Sequence, residues 1–422
     1  MKILIIGGGG REHAVAKALV KNVAVEKIWV APGNGGTAAF CENVDIAATD
    51  LQGILAFCLE HHPDFVVVTP DDPLALGMVD LLEENDIACF GPTRAAARLE
   101  WSKGYAKEFM QKYNIPTAQC HLCEDARAAK AYVKKCPIPI VLKADGLAQG
   151  KGVVVAQTRE EAVAAQAQLS YGKPDQAMLF EEMLTGPEVS VLCFTDGKTI
   201  IPMPAAQDHK RAYDGDKGPN TGGMGAYSPV SAYTPALAER CMEEIFLPTI
   251  RGMEAEGTPF KGILYFSLML TADGPKVIEY NARFGDPETQ VVLPLLSSDL
   301  LNIMIAIRAG KLDRAKVKFQ DCYSACVVMS SGGYPSAYEK GKPITGLEEA
   351  ARFGTVYHAG TKRLPDGSFV TSGGRVLCVS STGRSLRQAL RNCYRGVDTI
   401  KFEGAFYRKD IGSKDAALVK ED

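Results

Sequence analysis

At 422 residues, 46% hydrophobic and 23% charged, the chain exceeds what one core ordinarily supports; length predicts about three domains and excludes a disordered or fibrous protein. A formal net charge of −3 gives no general attraction to nucleic acid or an anionic membrane, so any anion site must be built by local geometry. The twelve cysteines are scattered, no apolar run reaches the roughly 18 residues of a membrane span, and MKILIIGGGG enters a strand pattern without a signal peptide, so a reduced, soluble, cytoplasmic protein is expected.

Lys2 to Ile6 is an apolar run stopped by glycines, and Glu12 to Lys21 has helical spacing, so the chain opens as strand, turn, helix. Lys27 to Val30 and Phe65 to Thr69 repeat the buried-strand pattern, with a helix from about Leu74 to Asn85, which predicts an α/β domain on a parallel sheet. Helical segments follow near Gly91 to Lys103. From Ile115, strand IPIVLKA, a glycine loop, strand GVVVA, a helix from Arg159 to Leu169 and strand AMLFEE form a compact unit. Strands EVSVLCFTD and KTIIPM, a polar loop from Ala206 to Pro229, a long helix near Pro235 to Glu256, and strands GILYFSLMLT and KVIEYN predict a larger α+β unit. YSACVVMSS, GRVLCVSS and a helix near Ser385 to Arg395 predict a small terminal domain. The boundaries expected are 1–102, a linker helix over 103–117, a lid over 118–187, a core over 188–320 and a terminal domain over 321–422. No repeat of period 20 to 50 is present.

Two glycine loops invite a phosphate. IIGGGGREHA has the strand–glycine–helix setting in which backbone N–H groups hold anions, but the dinucleotide fingerprint needs glycine at position 12 and the chain has Glu12. Substrate binding and a plain structural turn stay open there. VLKADGLAQGKGVVVA fails as a P-loop: Gly146, Gly150, Lys151 and Gly152 leave one spacer too few and a glycine where the hydroxyl belongs. It joins strand to strand and so reads as a hairpin lid able to fold over a nucleotide, with Lys143 ahead of it; an ordinary flexible hairpin is the plainer reading. In VIEYNARFGDPET, Glu279 and Asn281 stand two apart on a strand, which places two hard oxygens on one face with Arg283 beyond. That set suits Mg²⁺ bridging nucleotide phosphates, or else a salt-bridged strand end. Cys120 and Cys123 lack a second pair at zinc spacing and read as ordinary thiols. His13 and His209 read as structural or hydrogen-bonding groups.

A lid hairpin with a preceding lysine, an acidic EE strand end and a late Glu-x-Asn strand resemble the ATP-grasp superfamily. GGREHA, APGN, FGPT, AQDHKRAYDGDKGPNTGGMGAYSP, EYNARFGDPETQ, HAGT and TSGGRVL, in order along the chain, resemble its glycinamide ribonucleotide synthetase family. The resemblance implies a Rossmann-like opening sheet, an ATP-grasp core with a lid and a mixed C-terminal domain. It implies ATP as co-substrate with Mg²⁺ (or Mn²⁺), glycine converted to glycyl phosphate, attack by 5-phosphoribosylamine, and a monomer or weak homodimer. Carried over, Lys103, Lys143 and the loop Gly146, Gly150, Lys151, Gly152 would meet ATP phosphates, Glu181 with the backbone after it adenine, and Glu188 the ribose. Glu279 and Asn281 would hold metal, with Arg283 at the transferred phosphoryl group. Asp208 and Lys210 would border the reacting groups, and Thr221, Gly222 and Gly223 would supply backbone donors. Asp286 and Glu288 would orient glycine or metal, and Gly9, Gly10, Arg11 and Glu12 would hold phosphoribosylamine. Against the family pattern, Trp101 and Phe266 are bulky and predict a narrowed crevice, Ala282 stands where Cys or Val is usual, and Asp71 shortens a carboxylate's reach. Another ATP-grasp carboxylate–amine ligase of purine metabolism, a biotin-dependent relative and a non-catalytic nucleotide-binding module are the rival readings.

Overall fold

The computed structural model of the protein describes residues 1–147 and 152–418. Five strands, β1 (Lys2–Gly7), β2 (Lys27–Pro32), β3 (Glu42–Asn43), β4 (Phe65–Val68) and β5 (Cys89–Phe90), form a sheet in the order β3-β2-β1-β4-β5 with every neighbouring pair parallel. β1 and β4 are unbroken apolar runs because both faces are covered: Ile3 to Ile6 and Phe65 to Val68 are all buried. The order reverses at β1, so the glycine turn after β1 and the Thr69–Asp71 turn after β4 open side by side at the carboxyl ends, where ligands of such sheets bind. The helix expected over Leu74 to Asn85 is divided into Asp71–Leu76 and Met78–Glu84 by Gly77, whose φ of +90° suits glycine and stops the first segment.

A second, fully antiparallel sheet contains β6 (Cys120–Cys123), β7 (Ile140–Ala144), β8 (Val153–Ala156) and β9 (Met178–Glu182) in the order β6-β9-β7-β8. Helices Ala126–Tyr132 and Arg159–Leu169 cover it around a separate small core that includes Val133, Leu142 and Phe180. β6 was not expected. Its CHLC pattern leaves His121 and Leu122 exposed and has no apolar run to signal a strand.

The next stretch supplies β10 (Glu188–Asp196), β11 (Ile200–Pro202), β12 (Gln207–Asp208), β13 (Arg211–Tyr213), β14 (Lys217–Asn220), β15 (Gly225–Ser228), β16 (Lys261–Thr271) and β17 (Gly274–Asn281). The last third supplies β18 (Tyr323–Ser330), β19 (Pro343–Ile344), β20 (Thr355–His358), β21 (Thr361–Arg363), β22 (Phe369–Thr371) and β23 (Arg375–Gly383). The core sheet runs β11-β10-β16-β17. Behind it lies one helical rod, Pro235–Cys241, π-helical Met242–Phe246 and Leu247–Ala255, whose Phe246 meets Phe266 at 4.4 Å between ring centroids.

One expectation is corrected. The stretch from Ala206 to Pro229 is not irregular: it holds β12 to β15. β12 and β15 join the sheet β12-β15-β18-β23-β20, so strands from both sides of residue 320 share one sheet. β15 reads GAYS, without a β-branched residue, and its partner β18 lies far along the chain, so neither composition nor local pairing announced it.

Candidate functional site

A cavity of about 1160 Å³ opens between the lid sheet, the core sheet, the opening domain and the C-terminal segment. Its floor is a polar face of the core sheet. Register aligns Ser190, Ser267 and Glu279 across β10, β16 and β17, with Tyr265 opposite Asn281 one step on, so Glu279 and Asn281 do share a face. Among the described residues the Glu279 side chain makes no hydrogen bond or ion pair. Burial alone would raise its carboxyl, but Lys210, Lys143, Lys103 and Arg283 together hold it below the ordinary value. Asn281 Oδ1 accepts from Arg283 Nη2 at 3.1 Å.

The lid wall is different. Lys143, 3% exposed, pairs with Glu181 Oε2 at 3.0 Å and donates to Ile278 O at 3.0 Å, and Lys107 reaches the same oxygen at 3.2 Å. Glu181 Oε2 is thereby committed to two lysines, while Oε1 is buried without a partner among the described residues. Lys103 donates from Nζ to Gly146 O at 2.6 Å, while its backbone N–H is held by Asp145 Oδ1 at 2.6 Å. Gly146 has φ +102°, and a Cβ added there would meet nothing within 4 Å among the described residues. Gly152 accepts from the Ala144 N–H at 2.9 Å; Gly150 and Lys151 lie outside the described residues.

Opposite the lid, β12 and the turn after it bring Asp208 and Lys210 into the cavity. Lys210 pairs with Glu188, which also accepts from Ser267 Oγ at 3.0 Å. Glu188 therefore faces a cation in this arrangement. Burial, with Glu288 nearby, pushes Asp208 well above the usual carboxylate range against the pull of Lys210 and Arg375. Glu288 itself is buried and accepts from Tyr265 at 2.6 Å. The backbone donors expected at 221–223 are already used: Thr221 N–H goes to Lys210 O at 2.7 Å, Gly222 N–H to Tyr334 Oη at 2.9 Å and Gly223 N–H to Thr221 Oγ1 at 3.0 Å.

At the opening domain, Glu12 turns inward and is 1% exposed. Its carboxylate accepts from Gly9 N–H at 2.5 Å, Arg11 Nε at 2.7 Å and Thr69 Oγ1 at 2.7 Å, and a side chain on Gly7 would strike it. The substrate contact expected of Glu12 is corrected: it caps the helix Gly10–Leu19 from beneath the glycine turn. Arg11 is held by Glu12 and by Phe284 O at 3.1 Å and still borders the cavity. Gly9 and Gly10 let Asp286 and Gln290 approach, since a Cβ on Gly10 would lie 2.4 Å from Gln290 Nε2. Asp286 Oδ2 accepts from the Arg11 N–H at 3.3 Å, and Arg375 lies 3.5 Å from Oδ1, so one carboxylate ties the opening helix to the C-terminal sheet.

Arg283 Nη2 pairs with Glu100 Oε1 at 3.0 Å, and Glu100 also accepts from the Ala282 N–H at 2.8 Å. The narrowing predicted from bulk does not occur. Trp101 donates to Arg94 O at 3.2 Å and packs beside Arg94 and Arg98, and Phe266 lies in the core between Phe246 and Tyr280. Sequence reasoning passed over Lys107, Glu100, Asp145 and Arg375, which fix the assigned residues; Asp145 and Arg375 were signalled by charge inside the motifs VLKADG and TSGGRVL, whereas Glu100 and Lys107 lie outside the matching motifs.

Residues 1–100 match the family model for the N domain of phosphoribosylglycinamide synthetase, residues 101–289 its ATP-grasp (A) domain and residues 324–414 its C domain. The chain is similar to a phosphoribosylamine–glycine ligase of Yersinia pestis, 47% identical over 428 residues that cover 100% of both. It is similar to the crystal structure of a phosphoribosylamine–glycine ligase from Thermotoga maritima, with a TM-score of 0.85 and 36% identity over 97% of this chain and 100% of the other. A biotin carboxylase from Campylobacter jejuni shares the fold at a TM-score of 0.73 and 16% identity, covering 96% of this chain and 92% of that one.

Proposed function

The chain belongs to the phosphoribosylglycinamide synthetase family, and from that premise we propose which residues carry its reaction. It is an ATP-dependent ligase of purine biosynthesis that joins glycine to phosphoribosylamine. A carboxylate acylates poorly until one oxygen leaves as phosphate, so the route we assign runs through glycyl phosphate. The terminal phosphoryl group of ATP passes to a glycine oxygen, ADP leaves, and the amine of phosphoribosylamine displaces phosphate to give the amide.

One observation carries the assignment of residues: Glu279 faces the cavity without a partner among the described residues, ringed by Lys103, Lys143, Lys210 and Arg283. Glu279 is half-buried and its oxygens open to the cavity rather than to a protein partner, so together with Asn281 it offers hard oxygens of the kind a divalent cation takes. No cluster of three or more His, Cys, Asp or Glu suited to a metal occurs among the described residues. The donor set therefore fits an ion that arrives with the nucleotide and keeps phosphate and water ligands, as Mg²⁺ does. Glu279 and Asn281 would hold it, and when bound it neutralises phosphate charge. Lys103 and Lys143 bind the phosphates from the lid side, and Arg283, oriented by Glu100, meets the charge of the transferred group. Asp208 and Lys210 orient glycine and the amine, Glu288 keeps that corner rigid, and Arg11 reaches the phosphoribosyl group beside Gly9 and Gly10.

ADP release measured with glycine and phosphoribosylamine, supplied separately and together, tests the reading. Turnover should require both, and oxygen-18 placed in the glycine carboxyl should emerge in inorganic phosphate. ADP formed with neither, or label retained wholly in the amide product, overturns it.

A further inference from the structure

Arg408 is 2% exposed, the largest fully buried side chain in the molecule's described part, and no step of the reaction uses it. A buried guanidinium is costly unless its donors are satisfied. Here Nε and Nη2 grip Asp410 at 2.7 and 2.8 Å, Nη2 also meets Asp216 Oδ1 at 2.9 Å, and Nη1 donates to Arg211 O at 3.1 Å. Two of those four bonds stay inside one segment, but the other two reach Asp216 and Arg211 of the β13–β14 hairpin, far from Arg408 in sequence. The same C-terminal segment repeats the contact in backbone form. Gly215 N–H donates to Asp410 Oδ2 at 2.8 Å, Lys409 N–H to Asp214 Oδ1 at 2.8 Å, and Gly412 N–H to His209 Nε2 at 3.2 Å.

The hairpin needs such a hold. β13 and β14 form a two-stranded ribbon with no third strand, and a lone ribbon is marginally stable in water. Residues 213–219 are exposed to solvent, and Tyr213 is 53% exposed. The ribbon begins directly after Lys210 and ends at Asn220, where Thr221 closes back on Lys210 O through both its N–H and its hydroxyl, at 2.7 and 2.8 Å. Any displacement of the ribbon therefore moves Lys210, and through it the Glu188 pair, within the cavity.

We infer that Arg408 is a positioning residue: with Asp410 it clamps the β13–β14 hairpin to the C-terminal segment and so fixes where Asp208 and Lys210 stand beside the acceptor substrates. The inference rests on the reading that Asp208 and Lys210 border the reacting groups. It places control of the acceptor corner in a segment remote in sequence from every assigned site residue, and it leaves the ATP side, built on Lys103 and Lys143, outside the clamp.

The test uses the full chain with Arg408→Met, Arg408→Lys and the double variant Asp214→Asn/Asp216→Asn, which releases the hairpin from its exposed side should Arg408→Met not fold. Turnover, the KM of ATP and of each acceptor, thermal midpoint and deuterium exchange of the 211–220 amides are read together. Releasing the clamp should speed exchange in the hairpin about tenfold and lower kcat/KM for glycine and phosphoribosylamine about tenfold or more, with the KM of ATP within about twofold of the parent. Arg408→Lys, which keeps charge but not the fork, should recover part of the loss. Faster hairpin exchange with unchanged acceptor kinetics overturns the inference, as does a loss shared equally by ATP and tracking the thermal midpoint. Should the parent release no ADP in response to glycine, the functional reading fails instead, and exchange still reports whether the clamp exists.

Discussion

The lid sheet and the core sheet are both four-stranded and antiparallel, both face the same cavity, and both present charged side chains to it, yet they treat those charges in opposite ways. On the lid, Lys143 and Lys107 converge on Glu181, and Lys103 is tied to Gly146 O. On the core, the Glu279 side chain has four cations around it and, among the described residues, a bond to none of them. A buried charge held by ion pairs is a scaffold, and a cavity-facing charge with none is open to a ligand. Glu181 holds both lysines through Oε2 while its Oε1 is buried without a partner among the described residues; on the proposed reading, the core half acquires its last contacts from the substrates.

That contrast can be broken most sharply at Glu279. Glu279→Gln should lower turnover about 10²- to 10³-fold while the urea midpoint falls only modestly, because the carboxylate makes no hydrogen bond or ion pair among the described residues although the cations around it favour its charge; a large stability loss with mild kinetics would reverse the assignment. Lys143→Met probes the other half. It leaves Glu181 with Lys107 alone, so urea unfolding should show about 1–3 kcal/mol of lost stability alongside weaker ATP binding. An unchanged midpoint would mean the lid cluster is no scaffold.

Acid separates the two regions further. Burial holds His13 well below the ordinary histidine value and takes His209 and His358 down to about 4. The folded state favours the neutral rings, so their contribution is full above an ordinary histidine pKa near 6.5 and is lost as pH falls from there towards 4. All three sit at seams of the opening, core and C-terminal parts, where the His358 N–H donates to His13 Nδ1 at 2.8 Å. The urea midpoint should therefore fall over that pH interval, and His209→Gln should flatten the slope; exchange that rises first in the lid would contradict it. The smallest effect is expected from Trp101→Phe, which should leave the KM of ATP within about twofold, since the indole packs on Arg94 and Arg98 rather than in the crevice. A marked change would restore the narrowing its bulk predicted.

Much of the fold was legible locally. β1 and β4 announced a parallel sheet by apolar runs between turns, and the Glu-x-Asn spacing placed two oxygens on one face of β17 because side chains alternate along a strand. β6, β12 and β15 were not legible. Each is short, and each is a strand because of a partner elsewhere: β9 for β6, β15 for β12 and β18 for β15. The same distinction explains Glu12, whose charge suggested a ligand contact until the fold placed Gly9, Arg11 and Thr69 around it.

By itself the sequence determined which chemistry was available: lysines ahead of a glycine hairpin, an acid and an amide two apart, and ordered motifs that place the chain in its family. Tertiary structure alone decided which of those charges were spent. Pairing energy depends on distances between residues that no spacing along the chain encodes, so Glu181 and Glu12 became anchors, Glu279 stayed open, and Arg408 came to hold a hairpin from the far end of the molecule.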